Sequence, residues 1–283
     1  MIVAVDHGNK QVKTINKTFV SGFVESSMPP PFGEDVLEFN HRYYSLSDQR
    51  IPYLKDKSSD NRFFILTLFA IAYEIERRGV YAGDGIVNIQ LLVGLPPAHY
   101  GALYGQFEHY FRQHNDVIEF VFRNKRYSIY IDEVHSYPQA YSAAMPIFNT
   151  IKDISKALVL DWGGFTFDYV QIKNGQADLS VCDSLDNGVI VLYNRIKSKV
   201  SSQYDILLDE SDIDAIILER SNTFSHEVKT FVNRQAQSFV RDVLGSLRER
   251  MIDLRTCQTI FVGGGSILLR RFIDNVYPMS RTF

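Results

Sequence analysis

Two stretches of the chain set out the same residue types in the same order: Val3-Ala-Val-Asp6-His-Gly8 and Leu158-Val-Leu-Asp161-Trp-Gly163. In each, an apolar run leads into a carboxylate and then a glycine. A glycine-bearing turn after a strand lets backbone N–H groups approach phosphate oxygens with no Cβ in the way. A carboxylate at the strand end suits a hydrated Mg²⁺, which bridges phosphates and keeps much of its water shell. Lys13, one short strand beyond the first turn, can set a point charge on a β- or γ-phosphate. Phe261-Val-Gly-Gly-Gly-Ser266 offers a third close backbone approach, between a strand and a helix, suited to a phosphate or a nucleoside. Singly these features are weak, because Asp-x-Gly is a turn in most proteins and Gly-Gly-Gly is often only a helix entry. Three in order, with the acidic turn duplicated over half the chain apart, point to a nucleotide and its metal.

The elements that must position these residues read as alternating strands and helices, an α/β protein. After the first strand the pattern predicts strands over residues 11–15 and 18–25, a proline-rich loop over 28–33, and a hairpin from 36–39 and 42–46. Residues 63–73 form the longest apolar run, far short of the roughly 20 needed to span a membrane, and read as a buried core helix within 61–78 that Gly79 stops. A nearly continuous apolar strand at 86–93 implies a sheet covered on both faces. A helix at 98–112 and a hairpin from 118–122 and 127–131 follow, with Arg123-Asn-Lys-Arg126 as its solvated tip. Pro138 sits near the start of an alanine-rich helix running to about residue 148. The second half repeats the scheme: strand 157–160, a Gly163-Gly164 turn, strand 165–172, an Asn174-Gly175 hairpin turn and strand 176–182. Gly188 heads a helix to about residue 199, apolar residues at helical spacing mark a long helix over 224–247, and strand 259–262 runs into the glycine triplet.

Composition narrows the function classes. The 283 residues carry 30 Lys+Arg against 33 Asp+Glu, a net charge of −3, which argues against binding nucleic acid or acidic lipid through bulk charge. Cys182 and Cys257 make neither a disulfide framework nor a metal set, and lie in apolar runs where thiols are usually buried. His99, His109 and His114 lie on or near one helix without a carboxylate pattern for metal ligation. His7 reads as a hydrogen-bonding neighbour of the first turn rather than a catalyst, and Trp162 as a core residue. The expectation is a soluble, cytoplasmic protein with no secretory signal.

With those motifs in hand, the chain resembles the actin, sugar kinase and heat-shock chaperone ATPase superfamily, and within it the ParM (StbA) group of bacterial actin-like plasmid-segregation proteins. Residues 3–13 are similar to the family's first phosphate loop, residues 158–168 to its second, and Phe261-Val-Gly-Gly-Gly-Ser266 to its adenosine motif. Val93-Gly-Leu-Pro96 and Arg42-Tyr-Tyr44 also resemble ParM-group segments. The resemblance implies duplicated actin-like (ribonuclease H-like) domains around a nucleotide cleft. It divides them as domain I at 1–135 with a small subdomain at about 33–58, a connecting helix at 136–149, and domain II at 150–283. It further implies ATP or GTP with Mg²⁺ as cofactors, Asp6 and Asp161 as Mg²⁺-associated carboxylates acting through water, and Lys13 on the phosphates. Gly8, Asn9, Gly163, Gly164 and Thr166 would line the phosphates, with Gly188 among the cofactor contacts. Gly263, Gly264, Gly265 and Ser266 would approach the nucleoside. Gln139 falls where the family carries Glu or Gln and would orient the attacking water; Asp168 either joins the site or only caps the hairpin. Two departures stand out. Asn9 and Lys10 occupy the stretch where some relatives have Ser or Thr, and the family's C-terminal return helix is expected to be missing.

Three functions fit this pattern. The first is a nucleotide-driven filament that separates plasmid copies, self-associating and working with a DNA-binding adaptor, with no direct nucleic-acid or membrane contact. The second is a sugar or acetate kinase of the same fold, for which Asp132 and Glu133 are the available general bases. The third is a non-polymerising nucleotide-binding adaptor.

Overall fold

The computed structural model describes the chain except for residues 32, 34, 53, 55, 80–84, 113–115, 221–222, 279–280 and 283 and the side chains of 281 and 282. The chain divides into two compact units, Met1–Gln139 and Ala140–Phe283.

In the first unit β1 (Ile2–His7), β2 (Gln11–Lys13) and β3 (Thr18–Val20) form an antiparallel meander. Next come β4 (Phe23–Ser26), β5 (Val36–Phe39), β6 (Arg42–Leu46), helix α1 (Arg62–Arg78), β7 (Val87–Leu95), α2 (Pro97–Arg112), β8 (Ile118–Phe122) and β9 (Lys125–Pro138). The sheet order is β3-β2-β1-β7-β9-β8-β5-β6-β4, and β1, β7 and β9 are parallel. Parallel neighbours need a crossover, and α1 and α2 supply it. Every α1 residue from Phe63 to Ile75 is buried, as befits a helix that is apolar all round. Gly79 ends it in the left-handed region at φ 64°, the stop its type predicts.

The second unit opens with three short helical turns, α3 (Gln139–Ala144), a 3₁₀ turn (Met145–Ile147) and α4 (Phe148–Ile151). Then come β10 (Ala157–Trp162), β11 (Phe167–Lys173), β12 (Gln176–Leu185), α5 (Val189–Tyr204), α6 (Glu210–Ile217), α7 (His226–Glu249), β13 (Gln258–Val262), α8 (Gly264–Val276) and β14 (Arg281–Thr282). The strand order is β12-β11-β10-β13-β14, with β10-β11-β12 antiparallel and β10, β13 and β14 parallel. This is the order of β3-β2-β1-β7-β9, so the duplication read from two acidic turns extends to a whole five-strand plan. On α7, Val228, Val232, Ala236, Phe239, Val240, Val243, Leu244 and Leu247 face the core at the predicted helical spacing.

Several local expectations need correction. The strand expected over 18–25 breaks at Ser21-Gly22 into β3 and β4, because a Cβ on Gly22 would fall 1.9 Å from the Gln49 carbonyl and the chain must turn there. The alanine-rich helix expected from Pro138 is β9 as far as Pro138 and then three short turns, since Pro146 removes a backbone donor in mid-course. Helix α6 and strand β14 were not foreseen. The tip at Arg123 is not simply solvated: its guanidinium folds back onto Asp35 at 2.5 Å and Glu76 at 2.9 Å. Cys182 and Cys257 are half-buried rather than core thiols, and burial pushes both up in pKa. Of the three histidines grouped on one helix, His114 lies outside the described residues. Among the described residues no helix is long and apolar enough to cross a membrane.

Candidate functional site

In the first unit the meander brings Asp6 and Lys13 directly opposite each other across β1 and β2. The Lys13 ammonium lies 3.9 Å from one Asp6 carboxylate oxygen, with both side chains nearly half exposed. Gln139, the first residue of α3 directly after β9, donates its Nε2–H to the other Asp6 oxygen at 2.9 Å. Three residues that sequence reading nominated separately thus share one carboxylate, although Asp6 and Gln139 are 133 positions apart. Gly94 on β7 was not nominated, yet it lets Gln139 lie there: a Cβ at 94 would come within 2.9 Å of the Gln139 Cγ. Its place in Val93-Gly-Leu-Pro96 was the available signal.

The turn holding Gly8 and Asn9 is fastened from below by polar side chains. Ser21 is fully buried and its hydroxyl donates to the Gly8 carbonyl. Lys57 is buried and donates from Nζ to the His7 carbonyl at 2.5 Å. The Thr67 hydroxyl donates to the Phe63 carbonyl at 2.7 Å, so the 2.6 Å contact between His7 Nε2 and Thr67 Oγ1 must use the imidazole proton. That assigns the Nε2–H tautomer, with Nδ1 buried. His7 stacks on Phe111 and meets Phe63 and Phe107 edge-on. Complete burial, helped by the nearby Lys57 ammonium, pushes its pKa down to about 3, so it is a neutral anchor.

Just past Lys13, Glu74 of α1 clamps the β2–β3 turn. Its carboxylate accepts from the Thr14 hydroxyl at 2.5 Å, the Asn16 N–H at 3.1 Å and the Asn16 side-chain amide at 2.8 Å. Burial pushes the Glu74 pKa up, but these bonds and the Arg78 charge outweigh it and hold the carboxyl below its usual range.

The second unit builds its acidic hairpin differently. Asp161 faces Asp168 across β10 and β11 and Val262 across β10 and β13. The Gly163 N–H closes the turn on the Thr166 carbonyl at 2.9 Å, and Thr166 Oγ1 donates to Asp168 at 3.0 Å. The Gly188 N–H bonds the Phe165 carbonyl, while the first amides of α5, on Val189 and Ile190, bond the carbonyls of Gly163 and Gly164. Gly188 therefore packs the α5 terminus onto the hairpin; its Cβ would fall 2.2 Å from the Gly164 oxygen. Gly263 has φ +88°, and a Cβ there would lie 2.2 Å from the Asp161 carboxylate. Gly265 is buried against Trp162 and Val189, whereas Gly264 is exposed with open space where a Cβ would stand. Ser266 is fully buried and its hydroxyl donates to the Val262 carbonyl at 2.6 Å. Within the glycine triplet, Gly264 thus presents the open backbone. Trp162 is a core residue, packed on Phe167 and Phe239 with its indole N–H on the Asn187 carbonyl at 3.0 Å.

Asp132 and Glu133, the bases a kinase would call on, stand away from Asp6. Glu133 pairs in register with Gln90, which itself opposes Ile2, four residues or roughly 13 Å of strand before Asp6. Among the described residues no group of three or more His, Cys, Asp or Glu could hold a metal ion.

Two units sharing one five-strand order, each with an acidic hairpin on its central strand, define a duplicated ribonuclease H-like α/β protein. A family model described as "Actin like proteins N terminal domain" matches residues 4–141, and one described as "Archaeal actin homologue MreB-like, C-terminal" matches residues 159–275. Together the two models cover most of the chain, which belongs to the actin-like ATPase superfamily. Among solved structures it is similar to the archaeal actin homologue Ta0583 in complex with ADP, at 15% identity and a TM-score of 0.73 over 99% of this chain and 92% of that one. It is also similar to apo psk41 ParM, at 17% identity and TM-score 0.69 over 100% and 91% of the two chains. The third is a 15-stranded ParM filament from Clostridium botulinum, at 16% identity and TM-score 0.74 over 100% and 94%. No curated protein matches the sequence.

Proposed function

We propose that this chain is a cytoplasmic, filament-forming nucleoside triphosphatase that prefers ATP to GTP and acts in plasmid DNA segregation through a DNA-binding adaptor. The observation that carries the reading is the shared carboxylate of Asp6, held on one side by the Gln139 amide and faced on the other by Lys13. Gln139 keeps its amide oxygen as an acceptor for water, while Asp6 fixes the amide plane. That is the orienting role hydrolysis of a γ-phosphate asks of a neutral amide. Lys13 places positive charge beside the first loop, where a phosphate would meet it.

The donor chemistry fits Mg²⁺: Asp6 and Asp161 offer hard carboxylate oxygens, partly exposed at strand ends. When bound, the ion would neutralise phosphate charge. The chain's own contribution is to hold the two hairpins, the second closed by the Gly163 N–H on the Thr166 carbonyl, present the backbone of Gly8, Asn9 and Gly164 to phosphate, and offer Gly264 to a nucleoside. The ADP complex of Ta0583 and the Clostridium ParM filament support nucleotide binding and self-association by kinship. Nucleotide binding that favours an assembling conformation, with hydrolysis withdrawing that preference, is the switch the reading requires.

The test is light scattering on a concentration series with Mg²⁺ and ATP, GTP or ADP, alongside phosphate release. ATP should produce assembly above a critical concentration, decaying as phosphate appears. Gln139→Ala should still bind nucleotide but release phosphate roughly 10²-fold more slowly, producing longer-lived assemblies. A protein that binds no nucleotide, or a Gln139→Ala variant with undiminished turnover, defeats this reading.

A further inference from the structure

The second unit carries two surfaces of opposite character that its nucleotide elements do not use. One is a groove at the C-terminal half of α7, floored by Leu244, Leu254 and Val276 and rimmed by Arg241, Arg248 and Arg255. Gly245 lies in that floor, exposed, inside a 24-residue helix. Glycine is the wrong residue for a helix interior on propensity. A Cβ there would meet nothing within 4 Å, so no close approach requires the glycine, and its lack of a side chain keeps the floor bare. Arg255 is held by Asp253 at 2.6 Å, and Arg248 stands within electrostatic reach of the same carboxylate. Arg241 has no ion pair among the described residues, so the groove keeps a net positive charge.

The other surface is the turn between α5 and α6. Residues 205–214 contain Asp205, Asp209, Glu210, Asp212 and Asp214 and no lysine or arginine. The turn is tied down where α6 begins: Asp209 and Asp212 form a reciprocal capping box, and Leu208 is buried beneath. Lys197 lies 3.9 Å from Glu210. At its tip Leu207 is 87% exposed, a large apolar side chain projected from an acidic collar.

We propose that these two surfaces bind each other between copies of the chain, Leu207 and its acidic collar on one copy seating in the arginine-rimmed groove of the next. The two complement each other in charge and in their apolar content. Within one copy they stay apart: Tyr204 packs on Phe231, fourteen residues before Gly245, or about 21 Å along α7. A contact between two different patches is heterologous and propagates head to tail instead of closing into a dimer. The inference rests on the filament reading above and names the surfaces that would carry it.

The test uses the full chain with Mg²⁺ and ATP. Leu207→Lys alters the tip, Arg241→Glu/Arg248→Glu reverses the rim, and Gly245→Phe fills the floor without changing charge. Each should raise the critical concentration at least about tenfold while fluorescent-nucleotide binding and circular dichroism stay as in the wild type. An equimolar mixture of Leu207→Lys with Arg241→Glu/Arg248→Glu retains one good tip and one good groove, so sedimentation velocity should show a dimer and no polymer. Variants that polymerise like the wild type overturn this interface and leave the filament reading standing. Loss of polymer without the mixed dimer overturns the pairing of these two surfaces. A wild-type chain that binds nucleotide and stays monomeric overturns both.

Discussion

The two acidic hairpins share a strand order and hold their turns by opposite means. In the first unit, side chains do the holding: Ser21 and Lys57 grip the carbonyls of Gly8 and His7, His7 anchors on Thr67, and Glu74 clamps the turn after Lys13. In the second unit the backbone does it, with α5 amides on the carbonyls of Gly163 and Gly164 and glycines at 188 and 263 where a Cβ has no room. A duplicated plan therefore dictates where the acidic turn sits but leaves open which interactions fasten it. The first hairpin should respond to pH and to loss of single polar groups. The second should respond to bulk.

The largest expected effect tests the steric side. Gly188→Ala drives a Cβ to 2.2 Å from the Gly164 oxygen and 2.4 Å from the Phe165 carbonyl carbon, both backbone, so the hairpin or α5 must move. A loss of at least about 4 kcal/mol is expected in urea unfolding, the range of severe backbone and overpacking defects. Trp162 is the chain's single tryptophan and is buried in this unit, so its fluorescence follows the unit directly. A near-neutral result would show that the close glycine contact is not what seats α5.

Next in size, Glu74→Ala strips the clamp and strands the Thr14 hydroxyl and Asn16 amide beside α1. About 3 kcal/mol should be lost, since three hydrogen bonds to a buried carboxylate go at once. Hydrogen exchange in β2 and β3 should accelerate while Trp162 fluorescence unfolding is unchanged. Equal effects in both units would erase the proposed difference between them.

The smallest effect is a pH slope confined to the first unit. His7 has a folded pKa of about 3 against about 6.5 unfolded, so the unfolded chain binds the extra proton. Its stabilising contribution is complete above pH 6.5 and falls by nearly 1.4 kcal/mol per unit as the pH drops toward 3. From pH 8 to 4.5 the first unit should lose about 2.7 kcal/mol by hydrogen exchange of β1, and His7→Phe should flatten that slope. The second unit has only His226, which is exposed, and should show little dependence over this range. Glu74, with its lowered pKa, adds a further loss only as the pH falls below about 4.3, its unfolded value.

Much of the fold was legible because the signals are local. Apolar runs, Gly79 and the Asn174-Gly175 turn are written in a few consecutive residues, and the latter pair takes the positive φ values that a tight hairpin needs. Where legibility failed, a distant contact overrode local preference. Ser21-Gly22 breaks a strand because the chain at Gln49 passes against it, and Arg123 leaves solvent for Asp35 and Glu76. Within the candidate site, Asp6, Lys13, Asp161 and the glycine turns could be nominated from type and spacing. Lys57 and Glu74 could not, because nothing near them in sequence marks what they touch, and Gly94 had only its place in Val93-Gly-Leu-Pro96 to mark it.

By itself, then, the sequence determined the two acidic turns, their strand order of appearance and the residue types able to meet phosphate, since turn chemistry and periodicity act over a few residues. Only the tertiary structure decided that Gln139 shares Asp6 with Lys13, that Gly188 and Ser266 support the loops from within, and that Gly264 is the open glycine of its triplet. The physical reason is sheet register. Residues more than a hundred positions apart become neighbours only when parallel strands pair, and that pairing is fixed by the burial of whole faces.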